Sequence, residues 1–232
     1  MVRFAGGTGP GAFDEEQAKA YAAAIDIETE FPHDQVFVDI LWQHSRGAAL
    51  DLGGGTGRYA AWLLQMGLAT SAHVIDNSLS MIDECISRGL PGLSAQVADI
   101  ETADLGREKY NLALARFVLM HIRELKDTLN RIALSLKHTG TFVVVTNIVD
   151  GTATALTTFM EETSGIMKLI LQAKGQPIPV SNYARTQEDY TQAFQQAGLH
   201  IEFCKQYEPM ILRFEKEPPG VRLFHLVLMG KK

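Results

Sequence analysis

Residues 49–63 read ALDLGGGTGRYAAWL. The run Ala48 to Leu52 has strand character, Gly53-Gly54-Gly55-Thr56-Gly57 makes a turn, and the segment from Tyr59 to Met66 has the composition of a helix. Strand, glycine turn and helix open a βαβ unit that holds a ligand at the carboxyl end of its strand. Gly55 to Ala60 also satisfies the dinucleotide fingerprint G-x-G-x-x-G/A, so the turn by itself admits a ligand with phosphates. Asp51 argues against that. A carboxylate at the strand end, next to the glycines, repels a pyrophosphate in a partly dehydrated cleft and suits an ammonium group.

Outward from this unit, strands and helices alternate. His73 to Asp76 is a second strand, Ser80 with Asp83 reads as a capping-box start for the helix ending near Gly89, and Leu93 to Val97 is a third strand. Asn111 to Ala115 is a continuous apolar strand of the kind covered on both faces. Leu125, Leu129, Ile132 and Leu136 form one helical stripe, which Gly140 ends as a C′ glycine. The β-branched run at Thr141 to Thr146 is another core strand. Thr186 with Asp189 opens a last helix, and strands near Ile201–Lys205 and Arg222–Met229 close the chain as an antiparallel pair. The pattern predicts an α/β fold, a doubly wound, mostly parallel seven-stranded sheet with an antiparallel last strand pair.

Two helical segments, Asp14–Ala24 and Gln35–His44, precede the alternation, so residues 1–45 are expected to form a helical arm or cover over the domain at 46–232. Residues 150–183 are an insertion whose Leu156, Phe159, Met160, Ile166, Met167 and Ile170 read as a helical lid over an acceptor pocket. A helix packed on the sheet or a homodimer contact is the plainer use of the same stripe. In the 232-residue chain the net charge of −6 offers no broad basic field for nucleic acid. No stretch has the length of a membrane span, the start lacks the apolar run of a signal peptide, and two cysteines fit neither a disulfide framework nor a metal site. These features place the expected protein in the cytoplasm without metal.

Asp76 closes the second strand 19 residues after Gly57, the spacing at which an acid meets ribose hydroxyls. Asp99, followed by Ile100, lies past the third strand, where it can accept from an adenine amino group while Ile100 packs on the ring. Three strand-end acids without a phosphate-binding lysine favour a cationic ligand. Each acid has a plainer role as an acceptor for nearby backbone amides.

With LDLGGGTG, VIDNSLSMID, VADI and LALARFVLMHI in order, residues 45–148 resemble a class I S-adenosylmethionine-dependent methyltransferase, and NYARTQEDYTQAFQQAGLHIE resembles the last helix and strand of its small-molecule branch. Gly54 stands where that family often has Cys or another small residue. The resemblance implies a Rossmann-like methyltransferase fold and S-adenosyl-L-methionine as cofactor. It puts Asp51, Gly53, Gly55 and Gly57 around the methionine and ribose, Asp76 on the ribose diol, Asn77 beside the adenine, and Asp99 and Ile100 at the base edge. It also puts the backbone of Ala115 or Arg116 under the methionine amino group, and Tyr21 over the cofactor.

Methyl transfer demands alignment, desolvation and, for a hydroxyl or carbon acid, proton removal. His121, within RFVLMHI, is the candidate base or acceptor-positioning group; its plainer role is to cap or pack the next helix. His225 in an apolar strand reads as a satisfied core or surface histidine, and His33, His44, His73, His138 and His200 as surface or helix-end residues. The function expected is methyl transfer to an O, N or C atom of a small, partly apolar metabolite. Two alternatives share the fold, a cofactor-binding protein with a non-methylating reaction and a non-catalytic subunit, and a nicotinamide-dependent oxidoreductase is the alternative of another class.

Overall fold

The computed structural model describes residues 32–44, 46–173, 176–209 and 212–232. The expected helix Asp14–Ala24, Tyr21 and most of the expected N-terminal cover lie outside the described residues. The described chain starts with helix α1 (Pro32–His44) and continues through β1 (Ala48–Leu52), α2 (Arg58–Gln65), β2 (Ser71–Asp76), α3 (Leu79–Ser87), β3 (Leu93–Val97) and β4 (Tyr110–Arg116). A 3-10 turn at Leu119–His121 leads to α4 (Leu125–Ser135) and β5 (Leu136–Gly151). Then come α5 (Ala153–Thr163), β6 (Ile166–Ala173), β7 (Gln176–Tyr183), α6 (Gln187–Gln196), β8 (His200–Tyr207), β9 (Leu212–Phe214) and β10 (Val221–Lys231).

Seven strands form one sheet in the order β3-β2-β1-β4-β5-β10-β8. The first five are parallel, whereas β10 runs antiparallel to both β5 and β8, as the sequence predicts for the closing pair. Alternate residues of each central strand enter opposite cores, which is why these strands are apolar throughout. Phe142 and Val144 face a layer with Leu129, Ile132, Tyr190 and Phe194, whereas Val143 and Val145 face one with Phe37, Leu41, Tyr59 and Leu63. The chain steps outward from β1 through β2 to β3 and then returns to place β4 on the other side of β1. This reversal opens a crevice at the carboxyl ends of β1 and β4.

Three local expectations are corrected. The cap of α3 is Ser78, whose Oγ accepts from the Met81 amide at 3.4 Å; Ser80 lies inside the helix and meets Ser78 Oγ at 3.1 Å. Gly140 is no C′ glycine, because α4 leaves directly into extended backbone at Leu136 and the Gly140 carbonyl accepts from the Lys232 amide instead. The insertion is helical only at Ala153–Thr163; Ile166–Ala173 and Gln176–Tyr183 pair as an antiparallel hairpin that joins β9 in a second, three-stranded sheet. The period there is two, not helical: Met167, Leu169 and Leu171 are buried and Lys168 between them is exposed. Pro177 and Pro179, two apart on the edge strand β7, put their missing N–H groups on the side away from β6.

The second sheet has a small core of its own, in which Phe159, Met167, Leu169, Leu212 and Phe214 meet Val149, Val221 and Leu223. The last three sit on the ends of β5 and β10, which run beyond the carboxyl edge of the main sheet. The insertion is mounted on that overhang.

Thr186 and Asp189 form the expected capping box on α6, with the Asp189 amide donating to Thr186 Oγ1 at 3.2 Å and the Thr186 amide to Asp189 Oδ2 at 2.7 Å. Thr186→Ala is expected to lower stability by about 1 kcal/mol. The check is a lower denaturant midpoint with an unchanged m value.

Candidate functional site

The crevice is built around Asp51. Strand alternation turns this side chain to the α2 side of the sheet, where it is 2 % exposed. The Ala60 amide, in the first turn of α2, donates to its carboxyl group, so the helix terminus that would receive a phosphate already serves a carboxylate of the chain. Its Oδ2 is buried with no hydrogen-bond partner among the described residues. Burial pushes the Asp51 carboxyl up to about 7; the Ala60 hydrogen bond and the Arg58 charge work against that rise, and the Asp76 charge adds to it.

The glycines make room for this carboxylate. A Cβ on Gly54 would stand 2.6 Å from Asp51 Cγ, so the family's common Cys has no place here while Asp51 holds this position. Gly57 caps α2 in the left-handed region at φ 70°, and a Cβ there would lie 2.4 Å from Cys85 Sγ.

Asp51, Gly53, Gly55 and Arg116 line one pocket together with Gly54, Thr56, Arg58, Tyr59 and Met81. Asp76 adjoins it, because its Oδ2 accepts from the Gly55 amide and its Oδ1 from the Ser78 amide, both at 2.9 Å. Asp76 thus ties the glycine turn to the start of α3, the plainer role foreseen for a strand-end acid. Burial raises its pKa too. Asn77 is exposed beside it, and Ala115 is wholly buried in the sheet. Asp99 is exposed and accepts from the Glu101 amide at 2.8 Å, while Ile100 is buried; neither lines the pocket.

His121 does not line the pocket either. Its ring donates to the Ser181 carbonyl of β7, and burial pushes its pKa down to about 4. The turn that carries it is held further by Arg185, between the insertion and α6, which donates to the carbonyls of Leu119 at 3.2 Å, Ile122 at 2.5 Å and Arg123 at 3.1 Å.

Several side chains at the crevice make contacts there that have no local signal in the sequence, Arg116 among them, which was placed at the site through its backbone alone. Arg116 pairs with Asp34 of α1 at 2.7 Å, with both side chains largely buried, and its guanidinium lies 5.6 Å from the Tyr59 ring and 4.7 Å from the Phe117 ring. Arg58 and Tyr59, which read as mere helix starters, are pocket walls. His33, expected at the surface or a helix end, is at the helix end but buried. A second, larger cavity of about 1010 Å³ lies between α5, β6, β9 and the loop before β10; Phe159 and Ile166 of the predicted lid line it, and none of the described cofactor candidates nor His121 does. Among the described residues no cluster of His, Cys, Asp and Glu could hold a metal ion, and no helix is long and apolar enough to cross a membrane.

Residues 49–140 match the sequence model of a family described as a methyltransferase domain. None of the curated protein sequences matches. Among solved structures, an S-adenosylmethionine-dependent methyltransferase from Mesorhizobium loti superposes with a TM-score of 0.66 at 15 % identity, over 89 % of this chain and 100 % of that one. The 1,6-didemethyltoxoflavin-N1-methyltransferase of Burkholderia thailandensis, solved with 1,6-didemethyltoxoflavin and S-adenosylhomocysteine bound, gives 0.60 at 17 % identity, over 94 % of this chain and 85 % of that one. The [4+2]-cyclase SpnF gives 0.63 at 14 % identity, over 86 % and 80 %. The chain is built on the class I S-adenosylmethionine-dependent methyltransferase fold, and the stretch that matches the methyltransferase-domain family, residues 49–140, carries the glycine turn and β1 to β4.

The native Asp51 carboxyl keeps its proton up to about pH 7, whereas an unfolded one loses it near 3.8. The folded state therefore binds more protons in that window, and this group's contribution to stability falls as pH rises through it. Asp51→Asn, which cannot ionise, is expected to gain on the parent chain from pH 4 to pH 8, by at most about 4 kcal/mol. Denaturant unfolding at the two pH values measures the difference; an equal effect at both would mean that Asp51 is not held protonated.

Proposed function

We propose that this protein is a cytoplasmic methyltransferase that moves a methyl group from S-adenosylmethionine to an O, N or C atom of a small, partly apolar metabolite. The observation that carries the reading is the buried Asp51, with one carboxylate oxygen unpartnered, in the place where a dinucleotide would put its phosphates. An ammonium group at that oxygen satisfies it and restores its charge. Asp51, Gly53, Gly55 and Gly57 are assigned to the methionine and ribose of the cofactor, Asp76 to the ribose diol, Asn77, Asp99 and Ile100 to the adenine, and the Ala115 or Arg116 backbone to the amino group. Tyr21 belongs to this proposal as an aromatic cover over the cofactor.

When bound, the cofactor supplies a sulfonium methyl group open to in-line displacement. The chain's own contribution is to align the acceptor and exclude water. His121 enters as an acceptor-positioning group, since a pKa pushed down to about 4 makes it a weak base while its N–H to Ser181 fixes the turn after β4. Residues 150–183 are assigned the covering role over the acceptor, and residues 1–45 a cover for the domain. The acidic balance of the chain supports a small-molecule partner over nucleic acid.

Calorimetric titration with S-adenosylmethionine and, separately, NADH tests the reading. The expected outcome is binding of the sulfonium ligand alone, weakened about 30-fold or more by Asp51→Ala and by Asp76→Ala. Because an ammonium needs the ionised carboxylate, affinity should also fall as pH drops below about 7, with a proton released on binding. Binding of NADH alone, or no binding of S-adenosylmethionine, overturns the assignment. Turnover of the cofactor to S-adenosylhomocysteine with a methylated acceptor separates this reading from a non-methylating one.

A further inference from the structure

The face of the sheet that carries Val143, Val145, Val227 and Met229 is apolar through its centre and turns polar at its carboxyl edge. Along β5 the next residue on that face after Val145 is Asn147; on β10 the one before Val227 is His225; on β8 their neighbour is Tyr207. The ladder pairs His225 with both Asn147 and Tyr207. Arg116 of the glycine-turn pocket pairs with Val145, so Asn147 stands one strand across and two residues further on, about 5 Å over and about 7 Å along. A polar rim therefore adjoins the assigned cofactor site at the carboxyl edge of the sheet.

This rim has more order than docking of α1 requires. His225 Nδ1 lies 2.8 Å from Asn147 Oδ1, an atom that only accepts, so Nδ1 carries the proton and Nε2 presents its lone pair. Tyr207 Oη is buried with no hydrogen-bond partner among the described residues. Phe117, directly after β4, sits in the left-handed region at φ 54°, a conformation that a bulky residue adopts only where its surroundings enforce it. Its ring stands edge-on to His33 at 5.7 Å and to His225 at 5.1 Å, and His33 in turn lies 4.6 Å from His225 and 6.3 Å from Tyr207. Four rings, an oriented acceptor nitrogen and an orphan hydroxyl thus meet at one strained point.

We propose that Phe117, Asn147, Tyr207 and His225 form the acceptor subsite, and that it takes a planar aromatic molecule carrying a hydroxyl or ring N–H. The rings, with half-buried Phe117 and Tyr207 outermost, offer edges and faces to a flat partner. His225 Nε2 accepts the partner's O–H or N–H, and Tyr207 Oη supplies a donor to its other polar atom. Burial keeps both histidines neutral at physiological pH, so the acceptor lone pair on His225 is not lost to a proton. His225, read from the sequence as a satisfied core or surface histidine, is buried and bonded through one nitrogen and given a ligand through the other.

The inference rests on the cofactor reading above, and the experiment is arranged to separate the two. The full chain is first titrated with S-adenosylhomocysteine; no binding is a failure of the cofactor reading. The saturated protein is then titrated with 4-nitrophenol and benzimidazole, with 4-nitroanisole and cyclohexanol as probes lacking the donor or the flat ring. Either of the first two is expected to bind at least about tenfold more tightly than both controls. His225→Gln and Tyr207→Phe should each weaken that binding about tenfold with S-adenosylhomocysteine affinity unchanged. Tyr207→Phe is the decisive variant, because removing an unpartnered buried hydroxyl leaves folding unharmed, whereas a merely structural tyrosine would show no change in probe binding. Equal binding of donors and controls, no binding of either donor, or full binding by Tyr207→Phe overturns the proposal.

Discussion

One buried carboxylate governs the arrangement of the crevice. Taking Asp51 out of water disfavours its charge, and only the Ala60 amide and the Arg58 guanidinium act against that cost among the influences on it. Everything near it is shaped to accept the cost. Gly54 leaves the volume that the carboxyl fills, Gly57 bends α2 back so that its first amides point at the strand end, and Asp76 holds the turn by its Gly55 amide. A side chain whose second oxygen has no partner is stable only in a form that waits for a donor. The protonated state provides one resolution, and a bound cation would provide the other.

The main sheet was largely legible because its physics is local. The bounds of β1 and β3 coincide with the segments Ala48–Leu52 and Leu93–Val97 read as strands, and the Thr186–Asp189 box is a signal four residues long. The errors are instructive in the same terms. Ser78 and Ser80 both offer a hydroxyl within one turn of the helix start, and backbone geometry alone chooses between them. In the insertion, Ile166, Met167 and Ile170 satisfy helical spacing, but the buried set 167, 169 and 171 has period two, and apolar residues on both faces of a hairpin conceal that alternation.

What no window of sequence can display are pairs made by the topology. Arg116 finds Asp34 across 82 residues, and His225 finds Asn147 across 78. Neither pairing shows in its own neighbourhood: the sequence assigns Arg116, at the end of β4, a backbone role only, and a histidine within a strand is ordinary. Asp51 was readable because its neighbours in space, the glycines and the first turn of α2, are also its neighbours in sequence. The glycine-turn half of the crevice is local and was foreseen. The rim on β5, β8 and β10 is assembled by antiparallel closure and was not.

That division follows from the way the sheet ends. β5 and β10 do not stop where their neighbours stop; they run on, paired from Thr141 with Lys231 to Gly151 with Val221, and carry the second sheet on their far ends. A strand pair that is core at one end and scaffold at the other must pass through the carboxyl edge between them, where the cover of helices gives way. Polar side chains at that crossing have sheet on one side and insertion on the other, so their positions are fixed twice. Asn147 and His225 sit at that crossing, and the Ser181 carbonyl of the same insertion accepts from His121 in the turn after β4. The insertion therefore has a mechanical role independent of any ligand, because without it neither the overhang nor the turn after β4 would have a second support.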